Sequence, residues 1–504
     1  MIAAIALLAT LTLDKIAERP ELAHGIVAGE VYDLDTHKVL WRRNGSMLME
    51  AASTTKLLTN GTTLALLGPD YRITTPVYRT GAIDTNGTMH GDLVLVASGD
   101  ANLSQRIQAD GTLAFENEDH SYDGGRDTRA VPGDPLAVLR DLAAQVAKSG
   151  IKQIDGRVVI DTALFGDQGP EAGTGAVVSS IVVNDNLVDI TITPGAKVGD
   201  PVTIAVSPQT PYVSFTVKAT TSDAKAEPTI DTDDKANSDG SHSVTITGAQ
   251  PMGAPMLYAY RVPEPARFAH DAFALALHDA GVSVVEPAGA APFSPDAFRS
   301  DTPPGVIVAK HLSPPIAQEV RVTLKVSDNL HASIEPYMWA LHANGPVNLR
   351  AGFAQERALF ERAGLNLDGA SQQDGLGGFA FFSPDFMVSF LNWAYTQQWY
   401  PQLLHALPIL GHDGTLFNIQ NNSPAVGKVF AKTGTWGSSN LLRNGELVTK
   451  GLAGYTTSKL GHHLAFAFYI NRMYGHGSVD TTKDGAHHAG ELLGEMAATA
   501  YLEY

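Results

Sequence analysis

The sequence predicts an α+β protein in which an antiparallel sheet flanked by helices is interrupted by a large β-rich insert. Three observations carry this reading. Two strand-like runs within residues 26–42 find their counterpart in three more within 426–471. Between them, from about residue 70 to 302, the chain breaks into short alternating β runs separated by Gly, Pro, Asp and Asn. A chain of 504 residues also exceeds the roughly 250–300 that one hydrophobic core holds. The expected division is a discontinuous domain of residues 1–68 and 303–504, with residues 69–302 inserted as two lobes.

The elements follow in order. "MIAAIALLATLTL" is apolar but too short to span a bilayer and has no basic residues before it. It reads equally as a truncated signal core or as the first helix of the mature domain, and it leaves a peripheral membrane contact open. In "IVAGEVYDLDTHKVLWRRNG" the strands Ile26 to Asp33 and Lys38 to Arg42 meet at a polar turn around Asp35 and Thr36. "KLLTNGTTLALLG" spaces Leu57, Leu58, Leu64 and Leu67 as a buried helix does, and Gly68-Pro69 ends it.

Within the insert, "DLVLVASGD", "GRVVIDTALF", "DITITPG", "PVTIAVS", "VSFTVKAT" and "SVTITG" read as strands. "DPLAVLRDLAAQVAKSG" and "PARFAHDAFALALHDAG" read as helices, each closed by glycine. "TSDAKAEPTIDTDDKANSDGSH" reads as a solvated hairpin tip. It fails the calcium-loop pattern because Lys235 stands where an oxygen donor belongs. Helical stretches around 328–343, 350–363 and 383–397 come next, then strands at "VGKVFAKTGT", "LVTKGLAGYTTS" and "HHLAFAFYIN", and a closing helix in "HAGELLGEMAATAYLEY".

Composition narrows the function. With 35 Lys+Arg against 53 Asp+Glu the formal charge is −18, and no basic tract is long enough to track phosphates, which argues against nucleic acid as a partner. The absence of Cys removes thiol nucleophiles, Cys-based zinc sites and disulfides together. Seventeen histidines include "GHH" at 461–463 and "AHH" at 486–488 without any His-Glu-x-x-His segment, so surface or cap roles are expected and no metal or other cofactor. Asp33, Asp35, Asp185 and Asp413 sit in turn-like contexts that explain them without chemistry.

The chemistry-bearing pattern begins at "AASTTKLLT". Ser-x-x-Lys occurs at 53–56, 149–152 and 222–225, but only Ser53 opens a helix followed by an apolar run, where Ser53 and Lys56 share a face. Lys-Ser/Thr-Gly occurs as a helix end at 148–150 and as a strand end at 432–434. Ser-x-Asn occurs at 327–329, between the apolar-alternating "VTLKV" and a helix, and in a turn at 438–440. Taken singly, each has an ordinary structural explanation. Taken together, the order Ser53-x-x-Lys56, Ser327-Asp328-Asn329, Lys432-Thr433-Gly434 is the signature of penicillin-binding proteins and serine β-lactamases. A serine hydroxyl is a weak nucleophile that needs an adjacent base, and a lysine serves only if burial and a neighbouring cation push it toward neutrality.

The chain resembles the D-Ala-D-Ala carboxypeptidase/endopeptidase family of class C penicillin-binding proteins over nearly its whole length. The long insert, "ASGDANL", "VNDNLVDITITPG", "LGHDGTL" and "GLAGYTTSKLGHHLAFAFYIN" carry the likeness. "DGASQQDGLGG" at 368–378 departs from it as an expanded loop, and is expected to leave the three motifs untouched.

The resemblance implies a transpeptidase-like fold and an extracytoplasmic, periplasmic enzyme acting on peptidoglycan peptides, with β-lactam antibiotics as inhibitors. It implies Ser53 as nucleophile, Lys56 as base and Ser327 as proton relay. Asn329 would contact the substrate peptide and hold Lys56; Lys432 and Thr433 would bind the terminal carboxylate. Gly434 would admit the substrate backbone to an edge strand, and the N–H groups of Ser53 and Thr435 would hold the oxyanion. The alternatives are a serine β-lactamase, or a non-catalytic peptidoglycan-binding scaffold.

Overall fold

The computed structural model describes residues 12–286, 298, 303–442, 445–474 and 481–504. It divides into two compact units, residues 1–71 with 316–504, and residues 72–315. Most of the apolar N-terminal run, residues 1–11, lies outside the described residues. Residues 12–17 are helical, with Leu13, Ile16 and Ala17 buried.

The first unit is built on a five-stranded antiparallel sheet. Its order is Lys38–Arg43, Ile26–Asp33, His463–Tyr474, Gly445–Thr457 and Val429–Asn440, which places Val429–Asn440 at an edge. Alternation along His463–Tyr474 explains how both faces are covered. Leu464, Phe466, Phe468 and Ile470 join a core with Leu492, Leu493, Met496 and Ala497 of the final helix, Thr481–Glu503. Ala465, Ala467 and Tyr469 face the other way, into a core with Leu57 and Leu58 of the helix Lys56–Leu67. The small residues on that face let helices settle close. At Gly61 the fit leaves no room for a side chain, since an added Cβ would stand 2.6 Å from the Phe390 ring.

The alternating "VTLKV" is not a strand. It ends the helix Ile316–Val326, in which Ile316, Val320 and Leu324 recur every four residues and are buried. The pattern looks strand-like because the polar positions are buried too. Thr323 Oγ1 donates to the Glu319 carbonyl at 3.0 Å, and Lys325 Nζ donates to the Leu407 carbonyl at 2.6 Å. The helix keeps a half-exposed side at Gln318 and Arg321, but its last turn, with Thr323 and Lys325 buried between Val322, Leu324 and Val326, shows only the alternation.

The inserted unit carries several small sheets joined by one buried cluster, running from Val77 and Leu95 through Leu139, Leu142 and Ile190 to Val244, Phe268 and Phe273. Its boundary falls later than residue 302, because Val306–Leu312 pairs antiparallel with Thr74–Arg79 and so belongs to the insert's sheet. Helices Ala137–Lys148 and Pro265–Asp279 occupy the expected segments. The acidic tip contains a strand, Asp231–Ala236, exposed at every residue and paired with His242–Thr247. Charged edge strands of this kind resist further pairing.

Asp185 is more than a turn residue. It lies in a buried network where Arg106 pairs with Asp119 at 2.6 Å and with Asp185 at 2.7 Å, while His120 bridges Asp185 at 2.7 Å and Asp189 at 2.8 Å. Burial disfavours the imidazolium, but Asp189, Asp185 and Asp119 outweigh it and hold His120 well above the ordinary histidine value.

Candidate active site

The serine turn is shaped before its chemistry begins. Ala52 adopts a left-handed backbone (φ 45°) and opens a 3-10 turn, Ala52–Thr55, that runs directly into the helix Lys56–Leu67. Thr54 and Thr55 donate their hydroxyls back to the Ala51 and Ala52 carbonyls, each at 2.7 Å. Ser53 has no such bond. Its Oγ lies 2.8 Å from Lys56 Nζ, one helical turn along.

Ser327 occupies the break between helices Ile316–Val326 and Asn329–His342, again with a left-handed backbone (φ 67°). Asp328 caps the second helix by accepting from the His331 N–H at 2.9 Å. Non-glycine residues in this region cost on the order of 1–3 kcal/mol and persist where the surroundings over-determine them, as at active sites. The cap points Asn329 inward, where its Oδ1 accepts from Lys56 Nζ at 2.6 Å. Ser327 Oγ lies between two lysines, 3.5 Å from Lys56 Nζ and 2.9 Å from Lys432 Nζ.

Lys432 comes from the edge strand and also donates to the Thr433 carbonyl at 2.8 Å. Both lysines are fully buried. Desolvation, followed by the repulsion of Lys56 and Lys450, pulls the Lys432 ammonium well below the ordinary lysine value. Two amines flanking one hydroxyl titrate as a coupled set, so charging one disfavours charging the other.

Glycine at 434 is required by the protein itself. An added Cβ would stand 2.5 Å from the Ala51 carbonyl oxygen and 3.2 Å from Ser53 N, so the residue admits the serine turn to the strand. This approach brings the strand residue after Gly434, Thr435, beside the first turn of the helix, where the Ser53 N–H has no intrahelical acceptor. Thr433 Oγ1 lies 2.7 Å from Thr415 Oγ1.

Several contributors lie outside the motifs. The Leu376 carbonyl accepts from Lys56 Nζ at 3.3 Å, so the expanded loop at 368–378 does touch the first motif. Its glycines explain how: a Cβ on Gly377 would stand 2.0 Å from the Ala52 carbonyl, and one on Gly375 equally close to the Ala332 carbonyl. Pro336 lacks the N–H that would otherwise serve Ala332. Asp413, read as a turn residue, receives Lys325 Nζ at 2.6 Å and ties the segment before Ser327 to the segment before Lys432. The run "DGLGG" and the pairing of an apolar-flanked Lys with "GHDG" were the available signals.

Outside the cleft, Asp33, Asp35 and His462 bring ligand atoms within 4.8 Å of one another. Their atoms are already engaged: Asp33 Oδ1 accepts the Asp35 and Thr36 N–H groups, and Asp35 accepts from the His463 N–H at 2.8 Å.

Residues 9–490 match the D-Ala-D-Ala carboxypeptidase 3 (S13) family. The chain belongs to that family. A D-alanyl-D-alanine carboxypeptidase of Actinomadura sp. is 26% identical over 482 residues, covering 91% of this chain and 80% of that protein. The D-alanyl-D-alanine carboxypeptidase DacB of Haemophilus influenzae is 22% identical over 457 residues, covering 87% and 84%. The crystal structure of penicillin binding protein 4 from Haemophilus influenzae superposes with a TM-score of 0.71 at 21% identity, covering 97% of this chain and 98% of that one. That likeness establishes the α+β fold expected from the sequence. As an S13 family member the chain is a serine peptidase of the D-Ala-D-Ala carboxypeptidase type.

Proposed function

We propose that this S13 carboxypeptidase cleaves the terminal D-Ala-D-Ala bond of peptidoglycan stem peptides through an acyl-enzyme on Ser53, and opens D-alanyl cross-links by the same chemistry. The observation that carries the assignment is the contact of Lys56 Nζ with Ser53 Oγ at 2.8 Å, inside a site completed by Ser327, Asn329 and Lys432.

The substrate's terminal carboxylate binds at Lys432 and Thr433. Its negative charge favours the protonated form of Lys432, and the coupling between the two amines then favours neutral Lys56, the form that serves as base. Ser53 Oγ attacks the carbonyl carbon while Lys56 takes the hydroxyl proton. The Ser53 and Thr435 N–H groups hold the oxyanion, a contact whose loss costs about 3–4 kcal/mol. Ser327 passes a proton to the departing amine of D-alanine. Asn329 donates its side-chain amide to the peptide carbonyl, and water then releases the acyl group, returning the proton to Ser53. β-Lactams acylate the same serine and block it. The protein works outside the cytoplasmic membrane, where this substrate lies. Among the described residues no helix is long and apolar enough to cross a membrane.

Incubation with an acyl-D-Ala-D-Ala peptide should release D-alanine from the native protein and none from Ser53→Ala. Undiminished release by the variant refutes the assignment. Conversion of muropeptide dimers to monomers reads the cross-link activity in the same experiment, and rapid release of hydrolysed penicillin would favour a β-lactamase instead.

A further inference from the structure

A third lysine, Lys450, lies beside the site without a role in the scheme above. It sits on Gly445–Thr457, directly opposite Thr435 in the register, and its Nζ donates to the exposed Thr435 hydroxyl at 2.6 Å. Cross-strand partners in an antiparallel pair present their side chains on one face, and residues two apart on a strand share it. Thr433, Thr435 and Lys450 therefore lie on one face, while Lys432 and Gly434 lie on the face turned to Ser53. The final helix closes over Lys450 through a glycine: a Cβ on Gly490 would stand 3.4 Å from Lys450 Cε.

The charge of Lys450 is unbalanced. Among the described residues no carboxylate forms an ion pair with it, and its hydrogen bond goes to a neutral hydroxyl. Enclosure alone pulls its ammonium to about 8, and it in turn disfavours the charge on Lys432. A half-buried ammonium without a counter-ion, bonded to the Thr435 hydroxyl on an edge strand whose Thr433 points to the same face, is an incomplete anion site.

We propose that Lys450 supplies the second cation for the substrate's C-terminal carboxylate, which binds between the Thr433 and Thr435 hydroxyls with Lys432 on one side and Lys450 on the other. The inference rests on the carboxypeptidase reading and deepens it, by making a free C-terminal carboxylate a determinant of recognition. Lys450 acts in binding, and the proton transfers remain with Lys56 and Ser327.

The test separates binding from turnover. Ser53→Ala protein is titrated calorimetrically with an acyl-D-Ala-D-Ala peptide and with its C-terminal amide. The acid should bind at least about tenfold tighter than the amide, as for a charge-assisted hydrogen bond. Adding Lys450→Gln should remove most of that preference while leaving the affinity for the amide the same, and Lys450→Arg should restore it. In the protein with Ser53 intact, Lys450→Gln should raise KM for the acid with little change in kcat. Equal weakening of acid and amide by Lys450→Gln would mean a packing role, and an acid preference undiminished by it would mean no role; either result overturns the proposal. Both leave the nucleophile assignment standing, whereas failure of the native protein to release D-alanine would remove that assignment separately.

Discussion

At the scale of single residues, the motif residues were legible and their electrostatics were not. Ser53, Lys56, Ser327, Asn329 and Lys432 fall in three motifs separated by more than a hundred positions, yet each motif carries a local signature, a helix start, a helix cap or a strand, that survives without knowledge of the fold. What converges on them from elsewhere had no such signature. The Leu376 carbonyl bonds Lys56 through a backbone atom, which any residue type supplies, and Gly434 is explained by a contact between two strand-distant segments. Buried charge is equally invisible in sequence. Glu356 reads as a polar position on the helix Leu349–Arg362, yet burial lifts its carboxyl to about 8, only partly offset by the Thr62 hydroxyl at 3.2 Å. The unfolded chain sheds this proton from about 4.5 upward. The native state holds it until about 8, so the native form binds more protons across that interval and stability falls as pH rises through it. Glu356→Gln should flatten this part of the stability profile, with a gain of about 2–4 kcal/mol over the native protein near pH 9 and little difference near pH 4. Urea unfolding at the two pH values measures it.

At the scale of elements, most strands and helices followed their periods, and a helix that ends in a buried polar-apolar alternation did not. Ile26–Asp33 begins and ends where the alternation says, and the three strands of the C-terminal half cover their expected runs. Val429–Asn440, however, continues through Lys432–Gly434, expected as a strand end, and through 438–440, expected as a turn, because Gly445–Thr457 pairs with it along its whole length. Ile316–Val326 escaped because its polar side chains are satisfied inside the protein, above all Lys325, which Asp413 receives through both carboxylate oxygens at 2.6 and 2.7 Å. Burial lowers the Lys325 ammonium from its ordinary value, and the Asp413 pairing counters that. Removing Asp413 alone strands a buried cation. Asp413→Ala should therefore destabilise the protein by about 3 kcal/mol, whereas replacing both partners by Lys325→Met with Asp413→Leu should recover most of the loss. Because Lys325 lies two residues before Ser327, the single variant should also slow acylation by penicillin. Denaturant midpoints and acylation rates for the three proteins check both statements.

At the scale of the whole molecule, the division into a discontinuous catalytic unit and a β-rich insert follows from where the character of the chain changes. Composition cannot place the seam to the residue, since the strand Val306–Leu312 continues the insert's sheet after a Pro-rich run that resembles a linker. The order of three short motifs across that interruption was the strongest functional signal in the sequence. The fold gives the order its meaning: an edge strand, a helix start and a helix junction bring two amines and two hydroxyls within hydrogen-bonding reach of one another. Within the insert, Arg106, Asp119, His120, Asp185 and Asp189 form a buried network that no short motif announces.

The nucleophile assignment is tested most directly by mass spectrometry of the intact protein and its peptides after exposure to benzylpenicillin. One penicilloyl group per chain, located on the peptide that contains Ser53 and missing from Ser53→Ala, is the predicted result. An adduct of the same mass on the alanine variant, or none on the native protein, would contradict it.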